Sequence, residues 1–325
     1  MKKTIKIIKW TFLTIILGII GMLLFVSFVL PNVGEPEYLK IDRTKERLER
    51  GKYLANSVSV CMDCHSTRDW SKFSGPLTPG TLGKGGEIFN QKFGFPGEFY
   101  SRNITPSGIG DWTDGEVLRA ISSGVNKNGK SLFPVMQYVH FGKMDREDLY
   151  SIIVYLRTLD PIVNSVPDSK PDFPMNFIIN TIPQKAEFSH KPSEKDVVNY
   201  GAYLFNAASC TECHTQQEKG AKIEGMELAG GFQFIMPSGG IARSANITPD
   251  KETGIGKWTE QMFVDRFKSF ADSTYVPTKI VNGNFNTVMP WTMYGTMKED
   301  DLKAIYAYLK KVKPIKNSVI KFSEQ

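Results

Sequence analysis

The chain has 325 residues, with 40 lysines and arginines against 34 aspartates and glutamates, for a formal charge of +6. At about 150 residues per domain there is room for two domains, and 41 % apolar with 23 % charged residues excludes a disordered chain. Four positive charges (Lys2, Lys3, Lys6, Lys9) fall in the first nine residues, leaving 36 against 34 over residues 31–325; that excludes a nucleic-acid-binding surface, and four cysteines exclude a disulfide-dense scaffold.

Residues 1–9 form a basic segment, followed over residues 10–30 by the uncharged run WTFLTIILGIIGMLLFVSFVL. As a helix this run would be about 31 Å long, the thickness of a bilayer's hydrocarbon core. The lysines ahead of it predict a cytoplasmic N-terminus, so the rest of the chain is expected on the periplasmic side of the cell membrane. No A-x-A-like cleavage site follows the run and no cysteine adjoins it, so a retained single-pass transmembrane anchor is expected rather than a cleaved signal or a lipid anchor.

A first domain is expected over residues 42–160. Its opening helix, about 42–60, leads straight into the first cysteines. A Gly/Pro-rich stretch (71–110) is too dense in turn signals for long elements. Thr113 with Glu116 then reads as a capping box, and a last helix carries Leu149, Ile152, Ile153 and Leu156 at helical spacing. Residues 161–192 hold six prolines, too many for a continuous helix, yet Phe173, Met175, Phe177, Ile178 and Ile179 are too apolar for a free tether. This segment is expected to be an extended strap packed along one or both domains.

A second domain, 193–315, repeats the first in order. Its opening helix (194–209) is capped by Ser193 and Asp196, a Gly/Pro-rich stretch covers 220–256, and Thr259 starts a helix more weakly than Thr113. Its last helix carries Leu302, Ile305, Tyr306 and Leu309. The copies share RGKYLANSVSVCMDCHS (50–66) with YGAYLFNAASCTECHT (200–215), and NITPSGIGDWT (103–113) with NITPDKETGIGKWT (246–259). FPVMQYVHFGKM (133–144) matches NTVMPWTMYGTM (286–297), and the two CxxCH strings lie 149 residues apart. This is a duplication giving two domains rather than a solenoid. Gly51 and Gly201 sit where a bare backbone would permit a close helix crossing.

All four cysteines fall in the strings Cys61-Met62-Asp63-Cys64-His65 and Cys210-Thr211-Glu212-Cys213-His214. Two thiols on one helical turn can both add to the vinyl groups of a haem as thioethers, and the adjacent imidazole then lies over the iron. A redox dithiol would leave the histidines unexplained, and a zinc site would bring its two halves within about 15–20 residues. Two covalently bound haem c groups are therefore expected, with Cys61 and Cys64, then Cys210 and Cys213, as attachment points. His65 and His214 are the expected proximal iron ligands.

Met136 and Met289 match across the copies, each 13 residues before the leucine that opens the last helix pattern, and are the expected second iron ligands. Met144 and Met297 lie too near that helix. His140 faces Met293 in the alignment, and His/His ligation of the first haem stays open; His190 is expected to face solvent. Met/His ligation fills both axial positions and raises the potential, which suits single-electron transfer. Trp112 and Trp258 are matched, and either bind a haem propionate or seal the core. Arg102 and Arg243 flank the NIT strings and are expected to be solvated.

Through both CxxCH strings, AGGFQF (229–234), NITPDKETGIGKWT, MPW (289–291) and DDLKAIYAYL (300–309), the chain resembles the multihaem cytochrome c subunits of membrane-bound bacterial alcohol, gluconate and aldehyde dehydrogenases. YLRTLDPIVNSVPDSKPDFP (155–174) is similar to that family's interdomain connector. The resemblance implies a mostly α fold, with two tandem cytochrome c-like helical domains after the N-terminal transmembrane helix, Met/His ligands, and electrons passed toward quinone or an oxidase. Family members commonly carry three haems and a C-terminal anchor; this chain has two CxxCH strings and an N-terminal apolar run.

The expected function is that of a membrane-anchored dihaem cytochrome of a respiratory chain, an electron-transfer protein or oxidoreductase subunit without independent catalysis. Its partners would be a periplasmic dehydrogenase, a terminal acceptor and the membrane. The alternative is a dihaem enzyme, a peroxidase or sulfur-compound dehydrogenase. Each ferric haem with two ionised propionates adds about −1, so the loaded domains would be near neutral and docking would rest on local patches such as Lys303, Lys310, Lys311 and Lys313.

Overall fold

A computed structural model describes residues 2–218, 220–281 and 283–324; Met1, at the head of the basic segment, lies outside them. The lysines and the apolar run that follows form one helix, Lys2–Phe28, long and apolar enough to cross a membrane. Its apolar side chains stand exposed along its length, apart from Val26 near its end. There it meets the strap, where the Asn180 amide donates to the Val26 carbonyl at 3.3 Å.

Beyond it the chain is mostly helical, and the same parts occur twice. Each half opens with a helix, Lys45–Tyr53 capped by Thr44 and Val197–Ala207 capped by Asp196. Each closes with another, Arg146–Leu156 and Glu299–Leu309. The opening and closing helices cross at a glycine. A Cβ on Gly51 would stand 1.8 Å from the Ser151 carbonyl oxygen, and one on Gly201 would stand 1.9 Å from that of Ala304. No side chain fits at such a contact, so the two backbones touch. Leu54, Val58, Leu149 and Ile152 pack around the first crossing, and Leu204, Leu302 and Leu309 around the second, all essentially without exposure.

The opening helices do not run straight into the cysteines, contrary to expectation. In the first half a wider π-helical turn, Leu54–Val58, follows the helix. In both halves the residue ahead of the cysteines is left-handed: Val60 at φ 40° and Ser209 at φ 53°. That conformation is costly for a residue with a Cβ, most of all a β-branched one. It ends the helix axis so that Cys61–His65 and Cys210–His214 begin a fresh turn in a new direction.

The Gly/Pro-rich stretches contain only short elements, as expected: short strands and, in the first, the helical turns Gln91–Phe93 and Pro106–Ile109. Ile88–Phe89 and Gly97–Tyr100 pair antiparallel, as do Gln233–Ile235 and Ile241–Arg243. The Thr113 capping box is complete: the hydroxyl accepts from Glu116 N at 3.2 Å and the Glu116 carboxylate accepts from Thr113 N at 2.7 Å. Thr259 accepts only from Met262 N, since a methionine has no carboxylate to reach back.

The repeat extends further than the expected boundaries at 160 and 315. After each closing helix the chain returns across its own half and adds a third strand, Lys170–Pro171 beside Gly97–Glu98 and Phe322–Ser323 beside Ile241–Ala242. The NIT strings clamp this return. The Asn103 amide donates to the Ile162 carbonyl and Asn246 to that of Ile315, each at 2.7 Å, and Thr105 and Thr248 accept from Ile162 N at 3.2 Å and Ile315 N at 3.1 Å. Residues 161–171 of the strap therefore complete the first half. The rest lies along that half, with Lys191 N donating to Asp145 at 2.8 Å and Ser189 to the Lys143 carbonyl at 2.6 Å. Of its apolar residues Ile179 is buried, whereas Phe173 and Ile178 are exposed.

The halves meet through a pair of equivalent contacts. Tyr53 donates to Asp301 at 2.5 Å and accepts from Lys298 N at 3.1 Å; Tyr203 donates to Asp148 at 2.6 Å and accepts from Asp145 N at 3.2 Å. Each tyrosine of one opening helix thus caps the start of the other half's closing helix.

Candidate haem sites

Cys61, Cys64 and His65 come together on one helical turn, as do Cys210, Cys213 and His214, with all four sulfurs free of disulfides. Burial pushes the Cys61, Cys210 and Cys213 thiols up to about 12 and Cys64 further in the same direction. A redox or nucleophilic cysteine needs the opposite shift, so the dithiol alternative has no support here. Among the described residues no three His, Cys, Asp or Glu side chains converge as a metal-ion site.

The two imidazoles are held alike. His65 Nδ1 lies 2.7 Å from the Arg102 carbonyl and His214 Nδ1 2.7 Å from that of Ala245. A carbonyl can only accept, so Nδ1 carries the proton and Nε2 keeps its lone pair. Burial lowers the pKa of both rings, outweighing the carbonyl contact, so they are neutral. Their own carbonyls are also used, His65 O by Gly85 N at 2.9 Å and His214 O by Gly230 N at 2.8 Å. A Cβ on Gly85 would stand 2.4 Å from the Arg102 carbonyl carbon, and one on Gly230 2.4 Å from that of Ala245. These glycines let the carbonyl-bearing strand approach the ring. Paired thiols one turn apart, with an oriented neutral imidazole beside them, are the donor set that covalent haem needs.

Met136 and Met289 are both partly buried against the core and precede the short helices Tyr138–Phe141 and Trp291–Tyr294. Met144 and Met297 are buried in the core instead. His140 is spoken for: Nδ1 lies 2.9 Å from Asn206 Oδ1 and Nε2 2.7 Å from Glu212 Oε1. Burial would push the Glu212 carboxyl up, but His140 and Lys222 hold it down to about 2. With both nitrogens engaged across the halves, His140 is a bridge rather than a free ligand. His190 is fully exposed.

Arg102 and Arg243 are not simply solvated. Arg102 pairs with Asp168 at 2.6 Å, and Arg243 donates to Ser323 at 3.2 Å, so both hold the returning segments. Trp112 and Trp258 pack against the core, and the closing helices bind their carbonyls through Arg157 at 2.5 Å and Tyr306 at 2.6 Å.

Tyr294 is buried in the core. Its hydroxyl donates to the Ala208 carbonyl at 2.9 Å. Burial first, then the charges that Cys210, Cys213, Asp63 and Cys64 would carry, keeps its proton well above the usual tyrosine range. Residues of both turns therefore lie within electrostatic reach of one phenol.

Residues 198–313 match the cytochrome c family. The chain contains a cytochrome c domain. Over 293 residues it is 29 % identical to the cytochrome c subunit of a quinone alcohol dehydrogenase from Gluconacetobacter polyoxogenes, covering 84 % of this chain and 58 % of that protein. Over 278 residues it is 26 % identical to the gluconate 2-dehydrogenase cytochrome c subunit of Pantoea cypripedii, covering 81 % and 59 %. A diheme cytochrome c-type protein of Cereibacter sphaeroides is 27 % identical over 266 residues, covering 78 % and 82 %. The chain thus spans less than two thirds of these dehydrogenase subunits and most of the diheme protein. A cytochrome c domain implies covalently bound haem c, which the residues around His214 fit.

The carbonyl partners of the two histidines were not legible as site residues. They belong to Arg102 and Ala245, unlike side chains at one matched position, because only the backbone is used. The repeated NIT string directly after each was the available signal.

Proposed function

We propose that this chain is a membrane-anchored dihaem c-type cytochrome that passes single electrons from a periplasmic dehydrogenase to a quinone or oxidase acceptor. The observation that carries the reading is the matched pair of CxxCH turns, each with its imidazole fixed by a backbone carbonyl and its Nε2 free. A haem held there would supply one-electron redox chemistry. The protein's part is to hold. Cys61, Cys64, Cys210 and Cys213 would hold it as thioethers, with His65 and His214 offering Nε2 and Met136 and Met289 their sulfurs to the iron. Such soft ligation would favour the reduced state and suit single-electron transfer over reaction with oxygen or peroxide. The engagement of both His140 nitrogens supports Met136 over His140 and counts against the enzyme alternative.

Two tandem cytochrome c domains are supported by the matched glycine crossings, left-handed residues and NIT clamps. The helix Lys2–Phe28 supports the anchor. Similarity to dehydrogenase cytochrome subunits supports a dehydrogenase as donor. Haem assay of the purified membrane-fraction protein should give two covalent haems per chain, with a far-red methionine–iron band in the oxidised spectrum. One haem per chain, or turnover of peroxide by a haem lacking that band, would overturn the reading.

A further inference from the structure

The loop that follows the first cysteine turn reaches into the other half and grips the backbone of Met289. Phe73 inserts among the second half's aromatics, 6.2 Å from Phe270 and 6.0 Å from Phe285, ring centre to ring centre. Backbone bonds fasten the loop on either side, Phe73 N to the Thr278 carbonyl at 2.8 Å and Ile280 N to the Ser71 carbonyl at 2.7 Å. At its tip Ser74, 1 % exposed, donates from Oγ to the Met289 carbonyl at 2.5 Å and accepts from Trp291 N at 3.2 Å. Its N–H donates to Asn286 Oδ1 at 2.8 Å, and Asn286 is wholly buried. One side chain therefore binds the residues on both sides of Pro290 in the MPW string.

Ser74 does this in a left-handed conformation, φ 65°, which a residue with a Cβ adopts only when its surroundings enforce it. The enforcement is visible. Arg68 donates to the Ser74 carbonyl at 2.7 Å, to the Gly75 carbonyl at 2.9 Å and to the Val288 carbonyl at 3.4 Å, and pairs with Asp63 at 2.9 Å. Asp63 lies between Cys61 and Cys64. A continuous chain of contacts therefore runs from the first half's attachment turn to the second half's methionine.

We propose that Ser74, held by Arg68, is a positioning residue for Met289, so that the first half fixes the axial ligation of the second half's haem. This rests on the reading of Met289 as iron ligand. Among the described residues no side chain of the other half bonds the Met136 backbone: its N–H donates to Phe133 O at 3.1 Å, and Phe133 stacks on Phe99 of the same half at 4.0 Å. The effect is therefore one-sided.

The test uses the full chain with haem attached. Ser74→Gly keeps the N–H and tolerates the positive φ while removing the hydroxymethyl side chain that binds Met289. The variant should lower one of the two midpoint potentials and leave the other in place. It should also raise the affinity of added imidazole for that one haem by roughly five- to tenfold, the worth of the lost hydrogen bond to the Met289 carbonyl. Met289→Leu is the companion: it should abolish the far-red band of the same haem. If Met289→Leu removes that band while Ser74→Gly leaves both potentials and the imidazole affinities unchanged, the positioning role is wrong and the ligand reading stands. If Met289→Leu changes nothing, the ligand reading falls and the inference with it. A change confined to the other haem in Ser74→Gly would also overturn the proposal.

Discussion

The two halves share their backbone devices and differ where they face each other. Both have a glycine at the helix crossing, a left-handed residue before the cysteines, a carbonyl on the histidine and an Asn/Thr clamp on the returning chain. Around the candidate axial methionines they part. The first half ties Met136 to its own Phe133, whose carbonyl accepts from Met136 N, whereas in the second the Met289 carbonyl accepts from Ser74 of the neighbouring half. At the opening helices, Arg50 of the first half makes a two-pronged ion pair to Asp148, at 2.8 and 2.7 Å, where the second half has Tyr200. Devices that use the main chain recur because any change of side chain must respect them. Side-chain braces can diverge once two copies lean on one another.

The largest effect should come from the cysteine turns. Replacing Cys61 and Cys64 with Ala, or Cys210 and Cys213, should each remove one covalent haem and leave the other, read by haem stain and haem-to-protein ratio. Loss of both haems from either pair would mean the halves do not load separately. Next, Gly51→Val and Gly201→Val should each cost about 3 kcal/mol or more of folding stability, because the new carbons have only backbone to displace. Denaturant unfolding would show it, and a mild effect in one half would break the equivalence of the crossings.

The ion pair distinguishes the halves by pH. Burial pushes the Asp148 carboxyl up, but the Arg50 hydrogen bonds and charge, with help from Tyr203, hold it below the usual carboxylate range. A depressed acid stabilises the fold above its unfolded value of about 3.9 and loses that contribution as pH falls through the folded value. Arg50→Leu, which strands a buried carboxylate, should cost about 3–5 kcal/mol at neutral pH, with the penalty shrinking as pH falls through the stranded carboxyl's folded value, which burial holds above its unfolded one. A penalty that stays constant across the acid range would contradict this account. The smallest contrast lies at the caps: Thr113→Ala should cost about 1 kcal/mol and Thr259→Ala less, since Glu116 completes only the first box. Equal thermal shifts for the two would remove the distinction.

Much of this was legible in the residues. The repeat, the opening and closing helices, the capping box, the glycines and the CxxCH turns all follow from local spacing, and local spacing is chemistry the chain carries within a few residues. The ends of the repeat were missed because PIVNS and PIKNS (161–165 and 314–318) carry little periodicity and acquire their place only by pairing with the NIT strings. The contacts of His140 have no local signal, because Asn206 and Glu212, which take its two nitrogens, both come from the other half. Ser74 gave no signal at all: a serine in a Gly/Pro-rich stretch is ordinary until its φ and its partners are known.

The sequence by itself determined the donor chemistry of the two CxxCH turns, since thiols and imidazole on one turn need no distant residue to be brought together. It also determined the recurring strings and the apolar N-terminal helix. The tertiary structure alone decided which carbonyl orients each imidazole and how the returning chain closes each half. It likewise decided that one candidate axial methionine is held by the opposite half. Those contacts join residues up to 217 positions apart, and hydrogen bonds to carbonyl groups leave no mark on the identity of the residue that supplies them.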